Sequence, residues 1–228
     1  MTHDFQQYSN DRELFYQRLH TAPGIKLELV TGGEGYSRRA FEMLARQVWS
    51  ENGRDGYRTI DHTDDGVPLL DSDNPQECRQ RISVSHTKGL YAVATLPPAP
   101  ESTDLEIFSS ITALGLDVEE ADRTKVLNVR SRFLNEEEQQ LVAENSPLEN
   151  LTAWTCKEAM LKLAMNPRTD IRKELIITRL PELGGDPGEG TVTLSDGTIV
   201  PVLLWSLLFE ESYVITLAYT TTTLNYLK

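Results

Sequence analysis

The stretch Leu114-Gly115-Leu116-Asp117-Val118-Glu119 decides how this chain is read. Apolar residues flank two acids two positions apart, and a strand is predicted over Ala113–Glu119. On a strand that spacing puts both carboxylates on one face, with Leu116 and Val118 on the other. Two close carboxylates repel each other and are tolerated together when a cation sits between them. Hard oxygen ligands suit Mg²⁺, which takes few protein carboxylates and keeps room for water and phosphate oxygens. The bland alternative is a strand end running into the acidic, solvated stretch Glu119-Glu120-Ala121-Asp122.

Downstream, Trp154-Thr155-Cys156-Lys157-Glu158-Ala159-Met160-Leu161-Lys162 lies in a predicted helix over Leu148–Met165. Leu151, Trp154, Glu158 and Leu161 share a stripe at helical spacing, so the stripe is expected to face the core. A carboxylate among apolar residues needs a partner, because burying it unpaired is costly. A metal is one such partner. Lys162, four residues on, is another, and an ordinary Glu–Lys surface pair is the bland reading. Between the two features, Arg132-Phe133-Leu134-Asn135-Glu136-Glu137-Glu138 carries Asn135 three residues ahead of Glu138, which reads as a helix start of the capping-box kind. Upstream, Ile82-Ser83-Val84-Ser85-His86-Thr87 gathers hydroxyls and a histidine where a strand ends. Such a corner can donate hydrogen bonds to a phosphate, or it is a polar turn. Adjacent strand residues point to opposite faces, which argues against a Ser85–His86 nucleophile pair.

The rest of the chain reads as follows. A short helix is predicted near Arg12–His20 and a strand over Ile25–Val30. Gly32–Gly35 reads as a turn, Tyr36–Trp49 as an amphipathic helix, Tyr57–Asp61 as a short strand and Asp64–Pro68 as a turn. Two strands, Ile82–Ser85 and Leu90–Thr95, meet at a turn containing Gly89. The proline-bearing segment 96–110 reads as a linker between an N-terminal lobe (1–100) and a C-terminal lobe (101–228) that carries the acids. Helices are predicted over Arg123–Phe133 and Glu136–Ala143, and strands over Glu174–Thr178, Thr191–Leu194, Val200–Leu208 and Tyr213–Ala218, with a glycine-rich turn at Gly184–Gly190. The expected fold is α+β, two similar α+β lobes related by a pseudo-twofold.

Composition narrows the class. The chain has 228 residues, 39% hydrophobic and 25% charged, as an ordinary folded protein does. Its formal net charge of −13 disfavours a nucleic-acid partner. No apolar run reaches the ~18 residues that span a membrane. The first residues lack the pattern of a secretory signal, and the two cysteines, Cys78 and Cys156, form no paired motif; a cytoplasmic setting is expected. Arg123, Lys125, Arg130 and Arg132 place local positive charge after the acidic pair, either a docking face for an acidic partner or a solvated helix face.

The order Gly66-Val67-Pro68, Ser83–Thr87, Gly115–Glu119, Arg132–Glu138 and Trp154–Lys162 resembles the 4′-phosphopantetheinyl transferases, in particular the surfactin-type, two-lobed monomeric group. The resemblance spans Gly66 to Lys162, and Asp-x-Glu with Trp-x-x-Lys-Glu-Ala is its specific part. It implies transfer of the 4′-phosphopantetheine arm of coenzyme A, the co-substrate, to a serine of an apo acyl or peptidyl carrier protein, with release of 3′,5′-ADP. By the same resemblance Asp117, Glu119 and Glu158 are ligands of Mg²⁺, or of Mn²⁺, and Lys157 and Lys162 are the two lysines of the motif helix. Glu158, Lys162 and Glu138 are then the catalytic set. Lys157, Ser85 and His86 serve the coenzyme's phosphates, Gly66 and Pro68 border its adenine, and Arg38 adds a phosphate contact. The implied protein acts as a monomer, away from nucleic acid and membrane. Val67 stands where the family often has Lys or Arg, and Cys156 fills a variable position with no nucleophilic role. Two other readings of the acids remain: a metal-dependent phosphohydrolase of nucleotide diphosphates, and a non-catalytic homologue that docks a carrier.

Overall fold

The computed structural model describes residues 4–7, 15–20, 25–31, 61–62, 68–69, 82–96, 112–166 and 168–222; for 4–7, 15–20, 61–62 and 68–69 it describes the backbone alone. The chain divides into two compact units, Met1–Ile111 and Thr112–Lys228. The expected turn at Gly32–Gly35, the helix Tyr36–Trp49, the turn residues 64–67, the linker 97–110 and the site candidates Arg38 and Gly66 lie outside the described residues.

In the first unit, β1 (Asp4–Gln7), β2 (Phe15–His20), β3 (Lys26–Thr31), β6 (Ile82–Thr87) and β7 (Leu90–Thr95) form an antiparallel sheet of order β1-β2-β3-β7-β6. Two short strands, β4 (Asp61–His62) and β5 (Pro68–Leu69), pair with each other. The helix expected near Arg12–His20 is corrected: Phe15–His20 is strand, in register with β3 from Phe15↔Thr31 to His20↔Lys26. Its Phe-Tyr-Gln-Arg-Leu-His sequence suits either state locally, and pairing with a neighbour decided the matter. The Ile82–Thr95 hairpin forms as expected about Gly89, which sits at φ 80°, the left-handed region that glycine enters at no steric cost.

The second unit is built on β8 (Ala113–Glu120), β9 (Leu175–Arg179), β10 (Gly188–Thr193), β11 (Ile199–Phe209) and β12 (Tyr213–Thr220), antiparallel in the order β8-β12-β11-β10-β9. The acidic strand β8 is therefore an edge strand, paired along its full length with β12. Both units share a three-strand arrangement in which the last strand lies between the one before it and a strand from earlier in the unit (β3-β7-β6 and β8-β12-β11). They differ in what is added, β1 and β2 on one and β9 and β10 on the other. The turn expected over Gly184–Gly190 is shorter, because Gly188–Gly190 begins β10. A side chain at Gly190 would meet Ile176 O at 2.6 Å, so a missing Cβ lets β10 lie against β9.

Three helices follow β8: α1 (Val126–Phe133), α2 (Glu138–Leu141) and α3 (Pro147–Ala164). Both ends of α3 are capped. Ser146 accepts a hydrogen bond from the Glu149 amide at 3.3 Å, Pro147 fills the first turn where its missing N–H costs nothing, and Met165 closes the helix at φ 55°. Ala153, Cys156, Ala159, Met160 and Leu163 of α3 join Val192, Val200, Val202, Leu204 and Val214 in the core. Of the expected stripe, Leu151 is buried in the core, while Trp154, Glu158 and Leu161 lie on the less buried side of α3.

The crossing of α3 over β8 is set by Gly115. A Cβ there would fall 2.0 Å from Ala159 O and 2.7 Å from Leu163 N, backbone atoms that cannot step aside. Gly115 thus presses β8 against α3 and fixes the odd-numbered face of the strand, Asp117 and Glu119 included, toward the helix. Gly115→Ala should destabilise the unit by about 1–3 kcal/mol or more, as overpacking does. Urea unfolding measures it; wild-type stability would show that the crossing is looser than drawn.

Candidate active site

Asp117 and Glu119 project from β8 toward α3, as their spacing requires. Asp117 is 6% exposed. Its Oδ1 accepts a hydrogen bond from Lys162 Nζ at 2.9 Å, and the same ammonium donates to Leu116 O at 2.8 Å. Lys162 lies within electrostatic reach of Glu158, four residues before it, and its ammonium also reaches across to the strand. Glu119 Oε1 is held from two sides, by the Arg123 guanidinium and by Trp154 Nε1 at 3.3 Å. The indole is itself fixed edge-on against Phe133, with ring centroids 5.2 Å apart.

Glu158 lies on the same part-exposed side of α3 as Trp154 and Lys162. Burial pushes its pKa up, the charge of Asp117 pushes it further and Glu119 adds to that; Lys162 and Arg123 pull it back. The arrangement unites four of the expected residues, Asp117, Glu119, Glu158 and Lys162.

Among the described residues, no three His, Cys, Asp or Glu side chains surround one point closely enough to hold a metal ion. Asp117 and Glu119 are turned to Lys162 and Arg123. The donor set nevertheless fits a hard divalent cation: carboxylate oxygens from two packed elements, with a raised proton affinity at Glu158 that a cation would relieve.

Lys157 and Glu138, expected among the coenzyme-binding and catalytic residues, are placed apart from the acids, in a buried ion pair. Their side chains are 0% and 1% exposed, 2.5 Å apart. An ammonium has three N–H groups, and Lys157 has three acceptors: Glu138 Oε1, Ile171 O at 3.0 Å and Leu175 O. Glu138 also accepts the Ile177 amide at 2.7 Å and the Asn135 amide at 2.9 Å, while Asn135 Oδ1 accepts the Glu138 amide at 2.9 Å. The last two bonds are the reciprocal capping box read from the sequence. Neighbouring helix residues point about 100° apart, so Lys157 faces α2 and β9 while Glu158 faces the acids. Lys157 and Glu138 join α2, α3 and β9. Burial lowers the Lys157 pKa, and the Glu138 charge opposes that.

Cys156 is fully buried and its thiol is pushed up to about 12 by burial, so it stays protonated and unreactive. Beside it runs a buried hydroxyl chain, Thr155 to Thr216 at 2.7 Å and Thr216 to Ser206 at 2.8 Å, tying α3 to β12 and β11. Thr216 is the register partner of Asp117.

Of the expected docking cations, Arg123 is engaged with Glu119, and Arg130 donates to Gln139 O and to Val142 O at 2.7 Å, clamping α1 to α2. Lys125 and Arg132 are exposed. In the first unit, Ser85 is buried and His86 exposed, stacked on Tyr91 at 5.2 Å; the two point to opposite faces of β6. Pro68 starts β5.

Sequence reading assigned no site role to Trp154 and did not connect Arg123 with Glu119. The four-residue separation of Glu119 and Arg123 was a visible signal, but they lie on a strand and a turn, where helical spacing rules do not apply. The Trp154 contact closes 35 residues of chain and had no local signal.

An antiparallel sheet crossed by one helix, with acids on its edge strand and a glutamate and a lysine on the helix, defines a mixed α+β domain with a concentrated acidic site. Residues 113–218, which contain every member of that site, match the model of the 4′-phosphopantetheinyl transferase superfamily, and this supports phosphopantetheinyl transfer in general. The comparison with curated proteins gave no match. Among the described residues, no helix is long and apolar enough to cross a membrane.

Proposed function

We propose that this protein is a Mg²⁺-dependent 4′-phosphopantetheinyl transferase that moves the arm of coenzyme A onto a serine of an apo acyl or peptidyl carrier protein and releases 3′,5′-ADP. The observation that carries the reading is the meeting of Asp117 and Glu119 from β8 with Glu158 and Lys162 from α3, inside the segment that matches the superfamily model.

Asp117, Glu119 and Glu158 would hold the Mg²⁺, which when bound supplies charge neutralisation for the diphosphate oxygens. Glu158 takes the proton of the attacking serine hydroxyl; a carboxylate whose pKa is raised by burial is a better base than an exposed one. The serine oxygen bonds to the β-phosphorus as the bond from that phosphorus to the bridging oxygen breaks. Lys162, whose ammonium already reaches the β8 edge, stabilises the charge on the departing phosphate. The remaining work is placement, as in other phosphoryl transfers.

The test is incubation of the purified chain with coenzyme A, Mg²⁺ and a panel of apo carriers, read by intact-carrier mass. A gain equal to the phosphopantetheine arm, abolished by chelation and restored by Mg²⁺, is the expected result. Release of 3′,5′-ADP in the absence of any carrier, with no labelled carrier across the panel, would replace transfer by hydrolysis.

A further inference from the structure

We propose that Lys162 and Arg123 are resident counter-ions of the acidic face, pairing with Asp117 and Glu119 in the metal-free protein and leaving those pairs when a divalent cation binds. This rests on the reading of Asp117, Glu119 and Glu158 as metal ligands.

Three observations lead to it. Each strand acid has its own cation, Lys162 on Oδ1 of Asp117 and Arg123 on Oε1 of Glu119, so each cation sits where a divalent ion shared by the two acids would compete with it. Both cations are anchored where they can leave: the Lys162 side chain is 33% exposed and that of Arg123 45%, so a released cation reaches solvent while the divalent ion takes its place beside the carboxylates, which are 9% and 14% exposed. The Lys157–Glu138 pair on the opposite side of α3, 0% and 1% exposed, is the contrast, a pair that cannot open without burying two bare charges. Charge balance completes the argument. Three carboxylates against two cations leave the face negative. A divalent ion makes it positive and sets two cationic side chains beside it, the field that an anionic diphosphate requires. Linkage is reciprocal: whatever the pairs contribute to the metal-free state is subtracted from metal affinity, and removing a pair raises that affinity.

The experiment uses the full chain, metal-free and without coenzyme, titrated with Mn²⁺ and followed by the electron paramagnetic resonance of the free ion. Wild type is compared with Lys162→Gln, Arg123→Gln, Glu158→Gln and, as a control for loss of one positive charge nearby, Lys125→Gln. Lys162→Gln and Arg123→Gln should each bind Mn²⁺ about 5-fold tighter, with a smaller change in Lys125→Gln. A diamagnetic Mg²⁺ titration should shift the indole N–H resonance of Trp154, assigned by its loss in Trp154→Phe, because that N–H reports on Glu119. Unchanged or weaker Mn²⁺ binding in Lys162→Gln and Arg123→Gln would overturn the exchange and make both cations permanent positioning groups. An equal gain in Lys125→Gln would overturn it as bulk electrostatics. In either case Mn²⁺ bound by wild type and lost in Glu158→Gln would leave the metal reading standing. Failure of wild type and all variants to bind Mn²⁺ would overturn the metal reading and the exchange together.

Discussion

Glu158→Gln should slow carrier labelling by about 10³-fold, the scale on which a positioned base contributes, while making the metal-free fold more stable at neutral pH. The two effects have one cause. Burial first, then the charge of Asp117, raises the pKa of Glu158 in the folded chain. A carboxyl whose folded pKa exceeds its unfolded one contributes stability that is fully present below the unfolded pKa. That contribution is lost as pH rises through the folded pKa. Above that window the metal-free protein carries a partly buried negative charge beside two others. Glutamine keeps the shape and cannot ionise. Thermal melts in a chelator should therefore decline with rising pH in wild type, across the range just above that of an ordinary carboxylate, and decline less in Glu158→Gln. Added Mg²⁺ should raise the wild-type melting temperature at the high end. Labelling at the wild-type rate by Glu158→Gln, or parallel pH profiles for the two proteins, would remove Glu158 from the centre of the site.

The second large effect is expected far from the acids. Lys157→Met or Glu138→Gln leaves one charged or unpaired group in the interior, and breaking such a pair costs about 3–5 kcal/mol. Against a typical domain stability of roughly 5–15 kcal/mol this is a substantial fraction. Glu138 additionally satisfies the amides of Asn135 and Ile177, so its loss loosens the start of α2 as well as the β9 contact. The double variant Lys157→Met/Glu138→Gln should be destabilised by less than the sum of the single variants, measured by urea unfolding of all four proteins. Strict additivity would mean that the two side chains do not act as a pair. Stable single variants that fail only in labelling would return Lys157 and Glu138 to the chemistry. The Lys-Glu dipeptide at 157–158 thus points two ways: the lysine into a buried pair with Glu138, the glutamate toward Asp117 and Glu119.

The local patterns in the chain fixed more than its elements. Alternation around Asp117 and Glu119 defined a strand and the shared face of its acids. The apolar spacing over Leu148–Met165 defined α3, and Asn135 with Glu138 defined a reciprocal cap that formed bond for bond. These were legible because strand period, helix period and capping are properties of a few consecutive residues. Tertiary structure decided whatever depends on a partner distant in sequence. It made Phe15–His20 a strand by giving it β3 to pair with, and turned Trp154, Glu158 and Leu161 to the less buried side of α3 by packing Cys156, Ala159 and Leu163 inward. It sent Lys162 to Asp117, Trp154 and Arg123 to Glu119, and Lys157 to Glu138. A periodic pattern states which side chains share a face. Which face is buried, and which charge answers which, follows only from what that face is pressed against, and here the approach is set by the missing side chain at Gly115.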